Sequence, residues 1–283
     1  ALRDDFEKII WHYDEPFAVS SGFSLYQICK VASENVKVIL SGDGGDELFA
    51  GYPRHYIPLN NKFTFAPNID GLDRSIFKIY QLLGKIASDY RSVRGILNLF
   101  RKDAHSYYSK TLYTHCMSVS GLFKNDFFQE FIKPAGREHF GRFQQIYQCA
   151  ETDDIVNTRL ITDLKTTLVD EMLTKVDRAS MAFGLEARVP FLDHKFVELA
   201  MEIPGDLKTD RKEGKVILKN VLSDKLPKKI LRRKKQGFNS SVSYWLETDL
   251  KERLFDSLST ESIKKEGIFD MKVINLLLSR HFE

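Results

Sequence analysis

The chain has 283 residues, of which 43% are hydrophobic and 29% charged, an ordinary globular composition with ample length for one large domain or two small ones. Its 42 basic and 39 acidic residues leave a formal net charge of +3, too little excess to mark a nucleic-acid binder. Cys29, Cys116 and Cys149 are too sparse and too far apart for a disulfide framework or a zinc site and fit a reducing cytoplasm, and no apolar run approaches the ~20 residues of a membrane span.

Taken in chain order, Leu2, Phe6, Ile9, Ile10 and Tyr13 recur at helical spacing. Asp14-Glu15-Pro16 ends that helix, because the residue before proline avoids the α region. Ser24 is the candidate cap of a second helix, with Leu25, Ile28, Cys29 and Ala32 on one stripe and Asn35 as its stop. Val36-Lys37-Val38-Ile39-Leu40 is short, β-branched and nearly continuous in apolar character, and reads as a buried strand of a parallel sheet. It runs into Ser41-Gly42-Asp43-Gly44-Gly45-Asp46-Glu47 and then a new helix from Leu48 to Tyr52. This is an α/β unit with its loop at the carboxyl end of a strand, where open α/β sheets bind ligands.

Past residue 70 the pattern turns helical. Stretches 72–86, 91–100, 105–118, 121–133 and 137–149 read as helices, and 60–70 as a loop. A long helical run, broken once, covers 153–184, and further helices are predicted at 193–202, 214–223, 243–256 and 271–280. No second strand is predicted after Leu40. The chain opens on Ala1, without an initiator Met or a signal peptide, straight into a helical pattern, and reads as an excised domain.

The loop from Ser41 to Glu47 carries the chemistry. Its glycines allow φ > 0 and close approach of the backbone to a ligand. Successive N–H groups and a helix amino terminus favour a phosphate. Carboxylates beside a phosphate make sense if Mg²⁺ bridges them, since it prefers hard oxygen ligands. A plain surface turn rich in Gly and Asp is the competing reading, and the position directly after an apolar strand weighs against it.

Val38 to Tyr52, Val-Ile-Leu-Ser-Gly-Asp-Gly-Gly-Asp-Glu-Leu-Phe-Ala-Gly-Tyr, resembles a signature of the asparagine synthetase family. Asp14-Glu-Pro-Phe17 with Ser20-Ser21 is similar to the segment before it. Lys175-Val-Asp-Arg-Ala-Ser-Met-Ala182, with Leu185-Glu-Ala-Arg-Val-Pro-Phe-Leu-Asp193, resembles a third block. Gly214-Lys215-x-Ile-Leu-Lys219 resembles a fourth, and Leu226-Pro227, Arg233-Lys-Lys-Gln-Gly-Phe238 and Trp245 a last. The blocks come in the family's order and span most of the chain outside 60–150.

The resemblance implies an α/β, predominantly helical fold: part of an adenine nucleotide alpha hydrolase-like (ATP pyrophosphatase) synthetase domain. Residues 1–60 would be the end of its nucleotide-binding sheet region and 61–283 its helical region. It implies an ATP-dependent amide ligase that makes asparagine from aspartate through an acyl-adenylate. Ser41, Gly42 and Gly44 resemble positions that touch the nucleotide. Asp43 and Tyr52 occupy positions tied to adenylate formation, and Asp46 that of the Mg²⁺ ligand. Lys215 resembles the lysine that stabilises developing phosphate charge, and Arg233 and Lys235 lie where the family rims the ATP phosphates. The implied partners are aspartate or another small carboxylate, such as that of a sugar, and ammonia from a glutaminase domain; a homodimer fits the same picture.

Nothing in the chain corresponds to that glutaminase domain, to the family's Ser-Gly-Gly-x-Asp-Ser pyrophosphate loop or to the early strands of the sheet. The chain alone is therefore expected to be inactive. Ser241 stands where the family usually has proline, and 60–150 matches no motif, which leaves the acceptor open.

Other charges have plainer readings. Asp170, Glu171, Lys175, Asp177 and Arg178 lie on a predicted helix, with Glu171 and Lys175 at the favourable i,i+4 spacing, and solvated or structural roles compete with functional ones. Asp193 reads as a helix N-cap, and Arg188 is left undecided. The run from Lys225 to Lys235 is a solvated basic face, a phosphate rim or, least in keeping with the overall charge, a nucleic-acid patch. His12, His55, His105, His115, His139, His194 and His281 are scattered without ligand spacing, so no transition-metal site is expected. A non-catalytic helical binding module is the rival reading from another class. The retained Asp43, Asp46, Tyr52 and Lys215 speak against it.

Overall fold

The computed structural model describes residues 2–17, 19–56, 121–150, 152–233 and 242–283. The helices predicted at 72–86, 91–100 and 105–118, the 60–70 loop, Ser241 and Lys235 lie outside them.

The chain begins with α1 (Leu2–Tyr13) and α2 (Ser21–Ser33), followed by β1 (Val38–Leu40). Asp14 leaves α1 in a left-handed conformation with φ 57° ahead of Pro16. The second helix begins three residues before the predicted cap, so Ser24 lies inside it. Two short helices, α3 (Gly45–Leu48) and α4 (Pro53–Tyr56), come next.

Beyond the undescribed segment, α5 (Asn125–Phe127), a π-helical stretch (Phe128–Ile132) and α6 (Lys133–Gln148) form one continuous rod where a gap was predicted. Pro134 is tolerated because it falls at the start of α6, where the register changes and its missing N–H costs little. The predicted long run is α7 (Ile155–Lys165), a π-helical turn (Leu168–Leu173) and α8 (Thr174–Met181). It breaks at Thr166, whose φ of −131° and ψ of −91° leave the helical region.

A second strand, β2 (Glu186–Arg188), overturns the expectation of none. It pairs with β1 in parallel, Ile39 opposite Ala187. A strand of three residues, two of them charged, carries no legible apolar alternation. The prediction of a buried β1 also fails in part. Ile39 packs on the first core, while Val38 and Leu40, on the opposite face by the two-residue period, are 40% and 74% exposed. No described element covers that face.

The rest is helical: a 3₁₀ turn (Pro190–Leu192), α9 (His194–Glu202), α10 (Gly205–Lys208), α11 (Val216–Val221), α12 (Lys228–Leu231), α13 (Val242–Glu247), α14 (Lys251–Ser257), α15 (Thr260–Glu266) and α16 (Met271–Phe282). Asp193 caps α9, accepting from the N–H groups of Lys195 and Phe196. Among the described residues no helix is long and apolar enough to cross a membrane. Cys29 is buried and Cys149 exposed, both as free thiols.

Three apolar clusters position the glycine loop. Ile9, Tyr13, Tyr26, Cys29, Ala179 and Leu185 pack α1 and α2 against α8 and hold β2 beside β1. Leu48, Phe49 and Ala200, with Phe191, Phe196 and Ile217 around them, fix the segment after the loop against α9 and α11. Ala50 packs with Val156 and Leu160 of α7. The loop and its return are thus clamped by elements more than a hundred residues away in sequence.

Candidate active site

Ser41 extends the parallel ladder one step past β1, its N–H donating to the Arg188 carbonyl at 2.8 Å. The Ser41 hydroxyl donates to the Asp43 carboxylate and holds that side chain over its own loop. Gly44 turns the chain at φ 84°, and a Cβ there would stand 2.4 Å from Leu192 Cδ2. The turn therefore requires both the left-handed conformation and the missing side chain. Gly42 is exposed, with open space where its Cβ would be.

The chain next folds back across α3. The Gly51 N–H donates to the Asp46 carbonyl at 2.8 Å, and Ala50 adopts φ 55°. The Lys215 N–H donates to the Phe49 carbonyl at 2.7 Å, which docks the start of α11 on this return. A Cβ on Gly214 would lie 1.8 Å from the Ala50 carbonyl oxygen. Lys215 itself is left-handed at φ 59°, a conformation costly for a residue with a long side chain. The outcome is an ion pair: Lys215 Nζ lies 2.8 Å from Asp46 Oδ1, with the side chains 31% and 16% exposed. Gly51 makes room for it, since a Cβ there would fall 1.7 Å from Asp46 Oδ1 and 2.6 Å from Lys215 Cε.

Behind this pair lies a buried polar layer. The Tyr52 hydroxyl donates to Glu47 Oε1 at 2.9 Å. Burial, reinforced by Glu47 and Asp46, holds the Tyr52 phenol protonated far above its ordinary range. Burial also pushes the Glu47 carboxyl up, against the Tyr52 hydrogen bond. The Arg54 guanidinium stacks 4.2 Å from the centre of the Tyr52 ring. It also donates to Asp163 Oδ2 through Nε at 3.0 Å and Nη2 at 2.6 Å. His55 Nε2 is 2.8 Å from the same oxygen, and Arg159 Nη1 donates to the His55 carbonyl at 2.9 Å. Burial opposes a charged His55 and lowers its pKa. Asp163 is held below the ordinary carboxylate range, because Arg54 and His55 outweigh the desolvation that opposes them. Glu171 is raised to about 7 by burial.

The structure brings Asp46, Lys215 and, through Glu47, Tyr52 into one layer, and places Ser41, Gly42, Asp43 and Gly44 on the turn beside it. Arg233 is exposed, just past α12 on a separate segment. Sequence reasoning missed Arg54, His55, Arg159 and Asp163. The only signal was adjacency: Arg54 and His55 directly follow the glycine segment, but their partners are more than a hundred residues away. Of the helix charges it left open, Glu171 and Lys175 are buried, while Asp170, Asp177 and Arg178 are exposed. The amine of Lys175 donates to Met172 Sδ at 3.4 Å. Arg188 pairs with Glu186 on its own strand at 2.9 Å, both well exposed, an interaction of little energetic worth.

The donor set admits a hard cation in only one manner. Among the described residues no group of three or more His, Cys, Asp or Glu side chains converges on one point. Mg²⁺, however, often takes one or two carboxylates and fills its octahedron with substrate phosphates and water. Asp46 fits that role.

Comparison with known proteins identifies the family. The asparagine synthase family model matches residues 1–283. An asparagine synthetase (glutamine-hydrolysing) of Bacillus subtilis is 28% identical over 259 residues, which cover 88% of this chain and 38% of that protein. A putative asparagine synthetase of Mycobacterium bovis is 30% identical over 277 residues, 97% of this chain and 40% of its own length. A putative homologue from Methanocaldococcus jannaschii is 32% identical over 188 residues, 62% of this chain and 33% of its own length. This chain thus spans about two fifths of the length of the first two relatives. With the family model matched end to end, the chain belongs to the asparagine synthase family.

Proposed function

We propose that the chain supplies the phosphate-facing part of an ATP-dependent amide ligase. The substrate carboxylate, which in our reading is that of aspartate, attacks the α-phosphorus of ATP. The bond to the β-phosphate breaks and pyrophosphate leaves with the electron pair. Ammonia, delivered from glutamine by a further domain, then attacks the acyl carbon; the bond to AMP breaks and the nitrogen sheds a proton. The observation that carries this reading is the Lys215–Asp46 pair at 2.8 Å beside an open glycine turn.

The protein's work here is positioning and charge stabilisation rather than covalent chemistry. Lys215 is a compact, partly exposed cation on a segment docked to the loop's return, suited to meeting charge as it develops on a phosphate oxygen. Asp46 would hold Mg²⁺, and the ion, when bound, screens the leaving pyrophosphate. Ser41, Gly42 and Gly44 offer the nucleotide a backbone-lined turn, and Asp43 and Tyr52 border the acceptor carboxylate. The family resemblance would add Arg233 and Lys235 to the phosphate contacts. In this reading the chain alone is inactive, because nothing in it matches the Ser-Gly-Gly-x-Asp-Ser loop that the family resemblance ties to pyrophosphate.

The test is AMP release with ammonia and a panel of carboxylates, in the protein extended to the length of its relatives and in this chain alone. The reading expects release with the extended protein, strongest with aspartate, and none with the chain. A different preferred carboxylate moves the acceptor within the family. AMP release by this chain alone, or none by the extended protein with any carboxylate, overturns the proposal.

A further inference from the structure

Lys208, the last residue of α10, is fully buried. A lysine in that position is costly. Burial pushes its amine down to about 8, only partly opposed by Asp154, and a well-packed hydrophobe usually serves stability better. We propose that Lys208 is a positioning residue for Lys215: it anchors the hairpin that carries Lys215 onto Asp46. The inference rests on the phosphate-facing role assigned to Lys215 above.

The anchoring chain is continuous. The Lys208 amine donates to Asn157 Oδ1 at 2.8 Å. The Asn157 amide nitrogen is committed elsewhere, donating to the Met201 and Ile203 carbonyls at 3.3 and 3.1 Å. The amide cannot flip without losing both bonds, so its oxygen needs a donor from position 208. Beside it, Asp154 Oδ2 accepts the Gly205 N–H at 2.6 Å while Oδ1 caps α7. Thus α10 is held to α7 at both of its ends.

From Lys208 the chain passes straight into a hairpin closed by an antiparallel bridge between Thr209 and Gly214. The Thr209 hydroxyl donates to the Glu213 carbonyl at 2.6 Å and accepts the Arg211 N–H at 3.0 Å. Arg211 takes φ 70° at the tip. The far strand of the hairpin ends in Gly214, against Ala50, and in Lys215, on Phe49. One stem of the hairpin is therefore fixed by a buried amine and the other presents the working amine. The two lysines are seven residues apart and have opposite surroundings.

The test reads Lys215 directly and needs no nucleotide, so it stands apart from the ligase assay. Acetic anhydride is applied to the folded chain at pH 7.5, and the acetylation rate of Lys215 is measured by mass spectrometry against exposed Lys251 in the same sample. The contact with Asp46 covers the wild-type Lys215 amine and makes it slow to react, and Asp46→Asn sets the rate of the released amine. Lys208→Met is expected to raise the Lys215 rate at least threefold, towards the Asp46→Asn value, with the circular dichroism of the fold retained. Where Lys208→Met fails to fold, Thr209→Val, which loosens the hairpin without touching the buried amine, is expected to give at least a twofold rise. An unchanged Lys215 rate in a folded Lys208→Met protein, or in Thr209→Val where that is the variant measured, overturns the proposal. If Lys215 is freed as expected while the ligase assay shows no part for it, the positioning stands and the functional reading fails.

Discussion

Replacing Asp163 with Asn removes one charge and almost no volume, and it strikes the layer that supports Tyr52. Asp163 is fully buried, and its Oδ2 meets two Arg54 nitrogens at 3.0 and 2.6 Å and His55 Nε2 at 2.8 Å. Breaking one side of a buried ion pair costs about 3–5 kcal/mol. The Arg54 side chain keeps 16% of its surface exposed, which lets water relieve part of the loss and points to the lower end, about 3 kcal/mol. For a chain of this size that corresponds to a fall of roughly 6–12 °C in Tm. Thermal unfolding at pH 7 by circular dichroism reads it directly. The pH dependence has a definite sign. Asp163 is depressed below its ordinary 3.8, so its contribution is fully present above that value and is lost as pH falls through the folded pKa. The gap between wild type and Asp163→Asn should therefore close in acid. A drop of less than ~1 kcal/mol at pH 7, or a gap that widens in acid, would refute the view that this pair is a strong internal anchor.

Further outcomes are expected. Gly51→Ala drives a methyl group to 1.7 Å from Asp46 Oδ1; it should separate Asp46 from Lys215 and speed Lys215 acetylation with only a modest loss of Tm. Glu171→Gln should stabilise the chain more at pH 8 than at pH 5: burial raises Glu171 to about 7, so the cost of its charge grows as pH rises from the unfolded value to 7 and is then constant. Urea unfolding at the two pH values checks the ordering. For Lys208, lowered to about 8, the cost of charge is fully present below that pH and fades as pH rises towards 10.5. Wild type should gain stability over that window relative to Lys208→Met, and parallel pH–stability curves would contradict the assignment.

The order helix, strand, glycine loop was legible because each segment announces itself locally. The heptad-like apolar spacing of α1, the proline after Tyr13 and the glycines between Ser41 and Glu47 need no partner to be read. Asp193 as a cap was equally local. What was lost depends on partners remote in sequence. Three-residue β2 has no period of its own and exists because it pairs with β1. Glu171 and Lys175 have the spacing of a surface ion pair, yet the helix that carries them is packed on the layer behind the loop, and a π-helical turn shifts its faces. The π-helical stretch ahead of α6 likewise absorbed a proline that sequence logic treats as a break. Asp163 sits among threonines on α7 and gives no sign that it receives Arg54 and His55 from the other side of the fold.

The most direct measurement is aspartate-dependent exchange of labelled pyrophosphate into ATP, compared between the protein extended to the length of its relatives and its Lys215→Ala variant. In the proposed reaction it isolates formation of the acyl-adenylate from the later attack by ammonia. A lost charge contact of about 3 kcal/mol in the transition state predicts a fall of at least 100-fold in the variant. Exchange at the wild-type rate, in a variant of undiminished Tm, would contradict the role given to the Lys215–Asp46 pair.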